Sequence, residues 1–347
     1  MKTALIISLN FNPGHVSNLV ASCRQCEELG YEAIYYIHPS FVGMLPSASR
    51  YIVHESSTRP KADLAVFLFP SIRNVLLIRS LKRDGTKVVY VFHEPLAPMG
   101  TYRDAGFSYF YLAKLWVANR VSAYTVKKSD SILLPSRRAV SMYESNALYR
   151  NPNYHYLPLM FDDERGSNFE NVERKYFSYI GTVAADHSFG EYLRFVQWAV
   201  SGGHLSGLVF MIATKSDFDI PKELHNSDRV KILSGKPLSN EEINDCYASS
   251  FAVWNAYART TQSGVLAKSF MFGTPVIVLR KNLSEFTQDG KDIVAIDDNR
   301  SFEEIEGAIL RVLDDFDGFS KNARNRFLST FYYRNYNNQF RQIIESI

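Results

Sequence analysis

Two histidines in the first half of the sequence follow apolar runs and are placed to exchange a proton with a substrate. His15 lies in the stretch NPGHVSNL after the run Thr3 to Leu9, and His93 with Glu94 ends the run VVYVFHEP. Imidazole titrates near neutral pH, and a neighbouring carboxylate can orient the ring or act on an acceptor itself. We predict His15, His93 and Glu94 as candidate catalytic residues. For each histidine, a purely structural hydrogen bond in a loop is the alternative.

A stretch in the second half, QSGVLAKSFMFGTPVI, has the pattern of a glycine turn, a short helix and a buried strand. Ser263 and Gly264 stand at the predicted helix start, where backbone amides have no intrahelical acceptor and the helix dipole is positive. Gly264 allows close approach to the backbone, and Ser263 could cap the helix or donate to a phosphoryl oxygen. The pattern predicts a phosphate site, and a tight strand-to-helix turn without a ligand is the alternative.

Three basic residues stand near predicted strand ends or helix starts and could neutralise a phosphate. Lys215 follows a predicted strand in IATKSD, Arg259 precedes the glycine turn, and Lys268 lies within the short helix. A lysine there acts as a point charge on phosphate, although a solvated surface lysine gives the same pattern.

Apolar runs alternate with helical patterns along the chain, and these elements must position the candidate residues. Strands this uniformly apolar are buried on both faces, which indicates parallel sheets covered by helices. A stretch rich in Pro and Gly, residues 151–174, lacks periodicity and separates two such halves. We predict an α/β protein with two doubly wound, Rossmann-like domains facing across a cleft. Ligands of such sheets bind beyond the carboxyl ends of the strands.

The predicted domains are residues 1–160 and residues 161–320, followed by a helical tail at 321–347 that packs across both. Strands are predicted at 3–9, 33–37, 64–69, 87–92, 131–134, 176–180, 208–212, 230–233, 251–254 and 276–279. Helices are predicted at 17–29, 73–82, 113–128 and 189–200, and after the S-x-x-E pairs that begin at Ser239 and Ser301.

The composition excludes several classes of protein. With 46% hydrophobic and 22% charged residues the chain is typical of folded globular proteins, and a formal charge of +3 does not indicate nucleic-acid binding. No apolar run approaches the ~20 residues that span a bilayer and no signal sequence is evident, which predicts a cytoplasmic protein. Three cysteines do not make a disulfide framework, and Cys23 and Cys26 are predicted to pack in the core rather than act in redox or metal chemistry.

The stretch GFSYFYLAKLWVANRVSAYTVKK, residues 106–128, combines large aromatic residues with basic ones. An aromatic and basic face suits adsorption to an anionic membrane surface, where a lipid-linked acceptor would be met. Two alternatives stay open at this point: the apolar residues pack under the sheet, or the aromatic rings form the walls of a carbohydrate acceptor site.

The run SGVLAKSFMFGTPVIV, followed by LSEFTQDGKDIVAI, resembles the nucleotide-sugar-binding signature of glycosyltransferases of the GT-B fold, particularly the large retaining family 4. Weaker matches extend over most of the chain, through the turn that contains His15, the run that ends in His93 and the segment Tyr179-Ile180-Gly181. In inverting enzymes of this fold a histidine in a similar turn can be the base, and the retaining family often has a histidine near the donor sugar at the place of His93.

The resemblance implies binding of a nucleoside-diphosphate sugar mainly by the second domain. The predicted contacts are Lys215, Arg259, Gln262, Ser263, Gly264, Val265, Lys268 and Glu285. The chain departs from the family pattern at two places. Thr260 and Lys268 stand where the family has two glutamates, and Thr182 and His187 stand where it has the Arg and Lys that hold the diphosphate.

The sequence therefore predicts a metal-independent glycosyltransferase of the hexosyltransferase type. It would move a sugar from a nucleoside-diphosphate donor to a glycan or lipid-linked glycan acceptor, in the synthesis of a surface polysaccharide, with the nucleotide sugar as co-substrate and no other cofactor. The predicted location is cytoplasmic with a peripheral contact at the inner face of the membrane. A catalytically silent sugar-binding or partner protein of the same fold and a nucleotide-sugar epimerase are the alternatives, and retaining and inverting mechanisms are both open.

Overall fold

A computed structural model describes residues 1–47, 49–54, 59–104, 109–169, 172–225, 227–258 and 263–347 of the chain. The chain forms two compact units. The first comprises Met1–Asp162 together with Tyr332–Ile347, and the second comprises Asp163–Phe331. Each unit is built on a parallel sheet covered by helices.

The first unit has, among its described residues, a seven-stranded parallel sheet in the order β3-β2-β1-β4-β5-β6-β7. The strands are β1 Lys2–Ser8, β2 Tyr31–Ile37, β3 Tyr51–Val53, β4 Leu64–Phe67, β5 Lys87–Val91, β6 Ser131–Leu134 and β7 Tyr154–Tyr156. The helices between them are α1 Val16–Glu28, α2 Asn74–Arg83, α3 Met99–Asp104, α4 Tyr109–Lys128 and α5 Arg137–Ser145. The strand order reverses between β1 and β4, and in the register Leu5 lies opposite both Ile34 and Ala65.

The second unit has, within the part of the chain described, a six-stranded parallel sheet in the order β10-β9-β8-β11-β12-β13. The strands are β8 Tyr176–Ile180, β9 Val209–Ala213, β10 Val230–Leu233, β11 Ser250–Asn255, β12 Val276–Leu279 and β13 Ile293–Ile296. The helices are α6 Phe189–Ser201, α7 Asn240–Ala248, α8 Gly264–Met271, α9 Phe302–Asp314 and α10 Phe316–Thr330. Here the order reverses between β8 and β11, and Val253 of β11 pairs with Ser178 and with Val276. The last helix, α11 Asn337–Ser346, belongs to the first unit.

The prediction of doubly wound parallel sheets is confirmed by both strand orders. Central strands are buried on both faces, as their continuous apolar runs predicted: Ala4 to Ile6 and Ala252 to Trp254 have no solvent exposure. The predicted capping box is also present, because Ser239 Oγ accepts from the amide of Glu242 at 3.1 Å and the Glu242 carboxylate accepts from the amide of Ser239 at 2.6 Å.

Several elements were not predicted, and each is short or weakly periodic. Strands β3, β7 and β13 and helices α3 and α5 are additions, and β7 lies inside the segment that the sequence predicted as a linker. A strand of three residues, such as β7, is too short to show the alternation on which sequence patterns depend. The predicted strand at 64–69 ends at Phe67 in the structure, so Phe69 lies in the loop beyond it.

Arg174 links the amino-terminal ends of neighbouring strands in the second sheet. Its guanidinium donates to the carbonyls of Tyr247, Ser250 and Phe272 at 3.1, 3.0 and 2.5 Å and to Thr274 Oγ1 at 2.7 Å. These acceptors lie just before β11 and β12 or at their first residues, and Arg174 itself precedes β8. Burial lowers the pKa of Arg174 to about 10, so the side chain keeps its charge at neutral pH.

Gly273 forms the turn between α8 and β12. Its φ of +67° is a left-handed conformation that favours glycine, and a Cβ there would lie 2.9 Å from Ser320 Oγ. The Gly-Thr-Pro sequence thus lets the short helix α8 return directly into a buried strand.

Candidate functional site

The second unit has its topological switch point between β8 and β11, the two adjacent strands from which the chain winds in opposite directions. In doubly wound sheets, ligands bind outside the carboxyl ends of the strands at this point, because the connecting loops there diverge and leave a crevice. The loop after β8 and the loop after β11 therefore bound the candidate site of this unit.

These two loops are held together by a ring stack and a bridging amide. The ring of His187 stacks on Tyr257 with centroids 4.4 Å apart and planes inclined by 8°. The side-chain amide of Asn299 donates to the carbonyl of Ala256 at 3.0 Å and to Ser188 Oγ at 2.9 Å. Side chains from the first loop, the second loop and the segment after β13 therefore contact one another at the switch point.

Tyr257 has a buried hydroxyl at the same switch point. The residue is 4% exposed, and its hydroxyl has no hydrogen-bond partner anywhere in the described part of the chain. It lies 3.7 Å from the position that a Cβ on Gly181 would take, at the turn that follows β8. Burial raises the pKa of Tyr257, and the Asp186 carboxylate raises it further, so the hydroxyl stays protonated at neutral pH. An orphaned donor in a crevice of this kind is a place for a ligand oxygen.

His187 has a defined tautomer in the same loop. Its Nδ1 lies 3.2 Å from the carbonyl oxygen of Thr182, which can only accept a hydrogen bond. Nδ1 therefore carries a proton, and Nε2 is an acceptor in the neutral ring and a donor in the charged ring.

Helix α8 directs its leading end to the same edge of the sheet. Ser263 is the N-cap, and its Oγ accepts from the amide of Leu266 at 3.4 Å. Of the two roles that the sequence left open for Ser263, capping is the one seen in the structure. The amides of Gly264 and Val265 have no acceptor among the described residues, Gly264 is exposed, and a Cβ on Gly264 would meet nothing within 4 Å. Free amides and the positive end of the helix dipole make an anion site.

Lys268 does not lie at that leading end. Its ammonium is buried, 2.7 Å from a carboxylate oxygen of Glu164 and 2.6 Å from Asn244 Oδ1. Glu164 also accepts from the side-chain amides of Asn240 and Asn244 at 2.6 and 2.9 Å. One turn into the helix, the side chain points to α7 and not to the helix start, so we leave Lys268 out of the proposed phosphate site.

Two of the remaining predicted contacts, Lys215 and Glu285, follow strands of the same sheet. Lys215 follows β9, is partly exposed, and has no ion pair within the described ranges. Glu285 is exposed in the loop after β12. Arg259 and Gln262 lie outside the described residues. The structure thus brings Lys215, Ser263, Gly264 and Val265 to the carboxyl edge of one sheet.

The first unit has a stack of three rings at its own switch point. Phe69 lies between the two histidines, with its centroid 3.4 Å from that of His15 and 4.6 Å from that of His93. The three residues follow β1, β4 and β5, at the carboxyl ends of neighbouring strands. Glu94, next to His93, is exposed. The two predicted histidines are therefore neighbours through Phe69, which fixes their ring planes.

His93 is expected to make the free energy of unfolding depend on pH. Burial lowers its pKa from 6.5 to about 4, against a smaller opposing effect of a hydrogen bond with the backbone of Leu68. The unfolded chain takes up this proton at a higher pH than the folded chain, so stability is complete above pH 6.5 and falls as the pH decreases towards 4, by about 3 kcal/mol at the lower limit. Urea unfolding across this range measures the slope.

The variant His93→Gln cannot take up this proton, and its unfolding free energy should be flatter across the same pH range. His225→Gln, at an exposed histidine of the second unit, serves as the matched control and should keep the slope of the parent. Equal slopes for the parent and His93→Gln would contradict the assignment.

Sequence reasoning missed Phe69, Tyr257 and the role of His187. Phe69 was counted as part of a strand, and Tyr257 stands two residues after a strand, in a loop whose pairing depends on tertiary structure. The signal that could have found Tyr257 is an aromatic with a polar group at the carboxyl end of a central strand, where ligands bind.

Two features are absent from the described residues. No group of three or more His, Cys, Asp or Glu side chains there is arranged to hold a metal ion. None of the helices in the described ranges has the length and apolar character needed to cross a membrane.

No family model and no curated protein sequence matches this chain. Solved structures do. HepE of Anabaena in complex with UDP-glucose superposes with a TM-score of 0.71 at 12% identity, over 100% of both chains. Sucrose-phosphate synthase of Thermosynechococcus elongatus gives a TM-score of 0.69 at 12% identity, over 100% of this chain and 99% of that chain.

A glycosyltransferase of Rickettsia africae gives a TM-score of 0.68 at 10% identity, over 99% of this chain and 98% of that chain. Since the superpositions cover both units, the chain has the fold of glycosyltransferases of the GT-B type, as the sequence predicted.

Proposed function

We propose that this protein is a glycosyltransferase that uses a nucleoside-diphosphate sugar as donor. The observation that carries the proposal is the pair of free amides, on Gly264 and Val265, at the exposed leading end of α8, on the same sheet edge as the buried and unpartnered hydroxyl of Tyr257. A diphosphate supplies the anionic oxygens that these donors lack. The fold shared with HepE, whose structure was solved with UDP-glucose, supports the same class of donor.

In such a transfer, the bond between the anomeric carbon and the diphosphate oxygen breaks, and the acceptor hydroxyl forms a new bond to that carbon as its proton leaves. Negative charge grows on the departing diphosphate. In the proposal the α8 amides and the Tyr257 hydroxyl stabilise this charge, with Lys215 as a cation on the same edge of the sheet. These groups take the place of the Arg and Lys that the chain lacks at Thr182 and His187.

The first unit holds the acceptor in this proposal. His15 is the candidate base, because it is partly exposed at a strand end and its ring plane is fixed by Phe69. His93 has a pKa of about 4 and is neutral at pH 7, which suits a hydrogen bond to a sugar hydroxyl better than proton abstraction. The proposed acceptor is a glycan or lipid-linked glycan, the proposed donor group is a hexose, and no metal takes part. Membership of the retaining family 4 is part of the proposal and is decided by the anomeric form of the product.

The proposal is tested by calorimetric titration with UDP, GDP and ADP, followed by turnover assays with sugars of the nucleotide that binds. One nucleotide is expected to bind, and Tyr257→Phe should weaken it about tenfold or more, since a hydrogen bond to a charged group contributes about 1.5–3 kcal/mol. The free protein should lose no stability, because the variant removes a buried hydroxyl without a partner.

Tyr192→Phe is the matched control. Its hydroxyl is also buried but donates to the carbonyls of Phe177 and Met211 at 2.7 and 3.0 Å. This variant should lower stability by about 1 kcal/mol or more and leave nucleotide affinity unchanged. If the parent binds none of the three nucleotides, or if Tyr257→Phe binds like the parent, the proposed site is wrong.

A catalytically silent partner protein is the second candidate. It is favoured by Thr260 and Lys268, which occupy the two positions where the resembled family has glutamates, and by the burial of Lys268 in an ion pair with Glu164. Nucleotide binding without turnover of any nucleotide sugar would select it. Conversion of the sugar in the absence of an acceptor would select an epimerase instead.

A further inference from the structure

The amino-terminal half of α4 is exposed on nearly all sides although its sequence is apolar. Tyr109 and Phe110 are 90% and 85% exposed, and Trp116 and Val117 are 52% and 49% exposed. Helices that are exposed all round are normally polar, because an apolar side chain in water gains nothing from folding. This half of α4 therefore has the composition of a covered surface, and the described residues do not cover it.

Helix α2 packs against α4 and continues the same composition. Its exposed face has the apolar residue Leu76, 74% exposed, and then Arg79 and Arg83, while Ile72, 70% exposed, lies in the turn two residues before the helix. The spacing of Leu76, Arg79 and Arg83 is that of one helix face. Apolar residues and arginines thus share one face of the helix.

The charge on these two helices has one sign. Neither α2 nor α4 contains Asp or Glu, and together they have seven basic residues, Arg79, Lys82, Arg83, Lys114, Arg120, Lys127 and Lys128. The whole chain has a formal charge of only +3, so the rest of it is net negative. A surface with this charge would attract a negatively charged partner.

Helix α9 of the second unit shows that exposed leucines alone do not make such a surface. Leu310 and Leu313 are 51% and 38% exposed, but α9 carries Glu303, Glu304 and Glu306. Its charge would repel an anionic partner, which makes it a natural control.

We propose that the α2–α4 face, defined by Ile72, Leu76, Arg79, Tyr109, Phe110, Lys114, Trp116, Val117 and Arg120, binds the surface of a bilayer that contains anionic lipids. Aromatic and aliphatic side chains would enter the boundary between head groups and acyl chains, while the basic residues remain at the phosphates. The guanidinium of Arg120 lies 5.2 Å from the ring centroid of Trp116, so an interfacial aromatic and a phosphate-binding cation are already adjacent.

Co-sedimentation with vesicles tests this proposal. The proposal depends on the residues of the α2–α4 face and does not depend on the nucleotide site. The parent protein should bind vesicles of phosphatidylcholine with phosphatidylglycerol, more weakly at raised salt, and bind pure phosphatidylcholine poorly. The double variant Phe110→Ser/Trp116→Ser should partition about tenfold less or more, and Lys114→Gln/Arg120→Gln about fivefold less per charge. Leu310→Ser/Leu313→Ser should bind like the parent.

Tryptophan fluorescence locates the contact. The chain has three tryptophans, of which Trp116 is 52% exposed and Trp254 is fully buried. A blue shift of the tryptophan emission on vesicle addition should therefore come mainly from Trp116. Trp116→Phe should bind vesicles but lose most of this shift. The proposal is overturned if the serine double variant binds as the parent does. It is also overturned if the parent binds no vesicles. A dimer in sedimentation velocity that this double variant dissociates would then show that a second copy covers the face.

Discussion

Replacing Gly264 by aspartate is expected to weaken nucleotide binding strongly and leave the fold intact. A Cβ at Gly264 meets nothing within 4 Å, and a carboxylate in the first turn of a helix is favourable to the helix by about 0.3–1 kcal/mol. The same carboxylate would stand beside the diphosphate. At about 5 Å and an effective dielectric constant of about 20, repulsion of one phosphate charge costs about 3 kcal/mol. We expect nucleotide affinity to fall about a hundredfold or more.

Two further glycine variants separate charge from bulk. Gly264→Ala adds the Cβ alone and should keep most of the affinity. Gly307→Asp places the same carboxylate at an exposed glycine of α9 with open space around it, and should bind nucleotide like the parent. Titration calorimetry gives the affinities, and thermal unfolding without nucleotide gives the stability. Unchanged affinity in Gly264→Asp would mean that the leading end of α8 does not receive the diphosphate.

Replacing Lys268 by methionine is expected to lower the free energy of unfolding by about 3–5 kcal/mol, because the buried carboxylate of Glu164 then loses its counter-ion. The side chains of Lys268 and Glu164 are only 6% and 14% exposed. The double variant Lys268→Met/Glu164→Gln removes both charges and keeps an acceptor for the amides of Asn240 and Asn244. It should recover most of the loss, as a double-mutant cycle in urea would show.

Lys321→Met is the control for loss of an exposed lysine in the same unit, and it should change stability by less than about 0.5 kcal/mol. Folded Lys268→Met should bind nucleotide with the affinity of the parent. The opposite pattern, with unchanged stability and weakened binding, would return Lys268 to the phosphate site that the sequence predicted.

Most of the fold could be predicted because central parallel strands are continuous apolar runs. Strands such as Val230–Leu233 and Val276–Leu279 agree with the sequence prediction to the residue. The candidate site was harder to predict from the sequence than the fold. The sequence located the helix start at Ser263 and Gly264, but the partner of Lys268 lies more than one hundred residues away at Glu164. The stack of His187 on Tyr257 likewise depends on which loops the sheet order brings together.

Arg174 has a consequence for changing the specificity of this protein. Its hydrogen bonds link the amino-terminal ends of three neighbouring strands of the second sheet. The groups proposed to recognise the donor lie at the carboxyl-terminal ends of the strands. The contacts that stabilise the sheet and the groups proposed to select the donor thus lie at opposite ends of the strands. Redesign of the recognition loops for a different base or sugar should therefore proceed without loosening the scaffold beneath them.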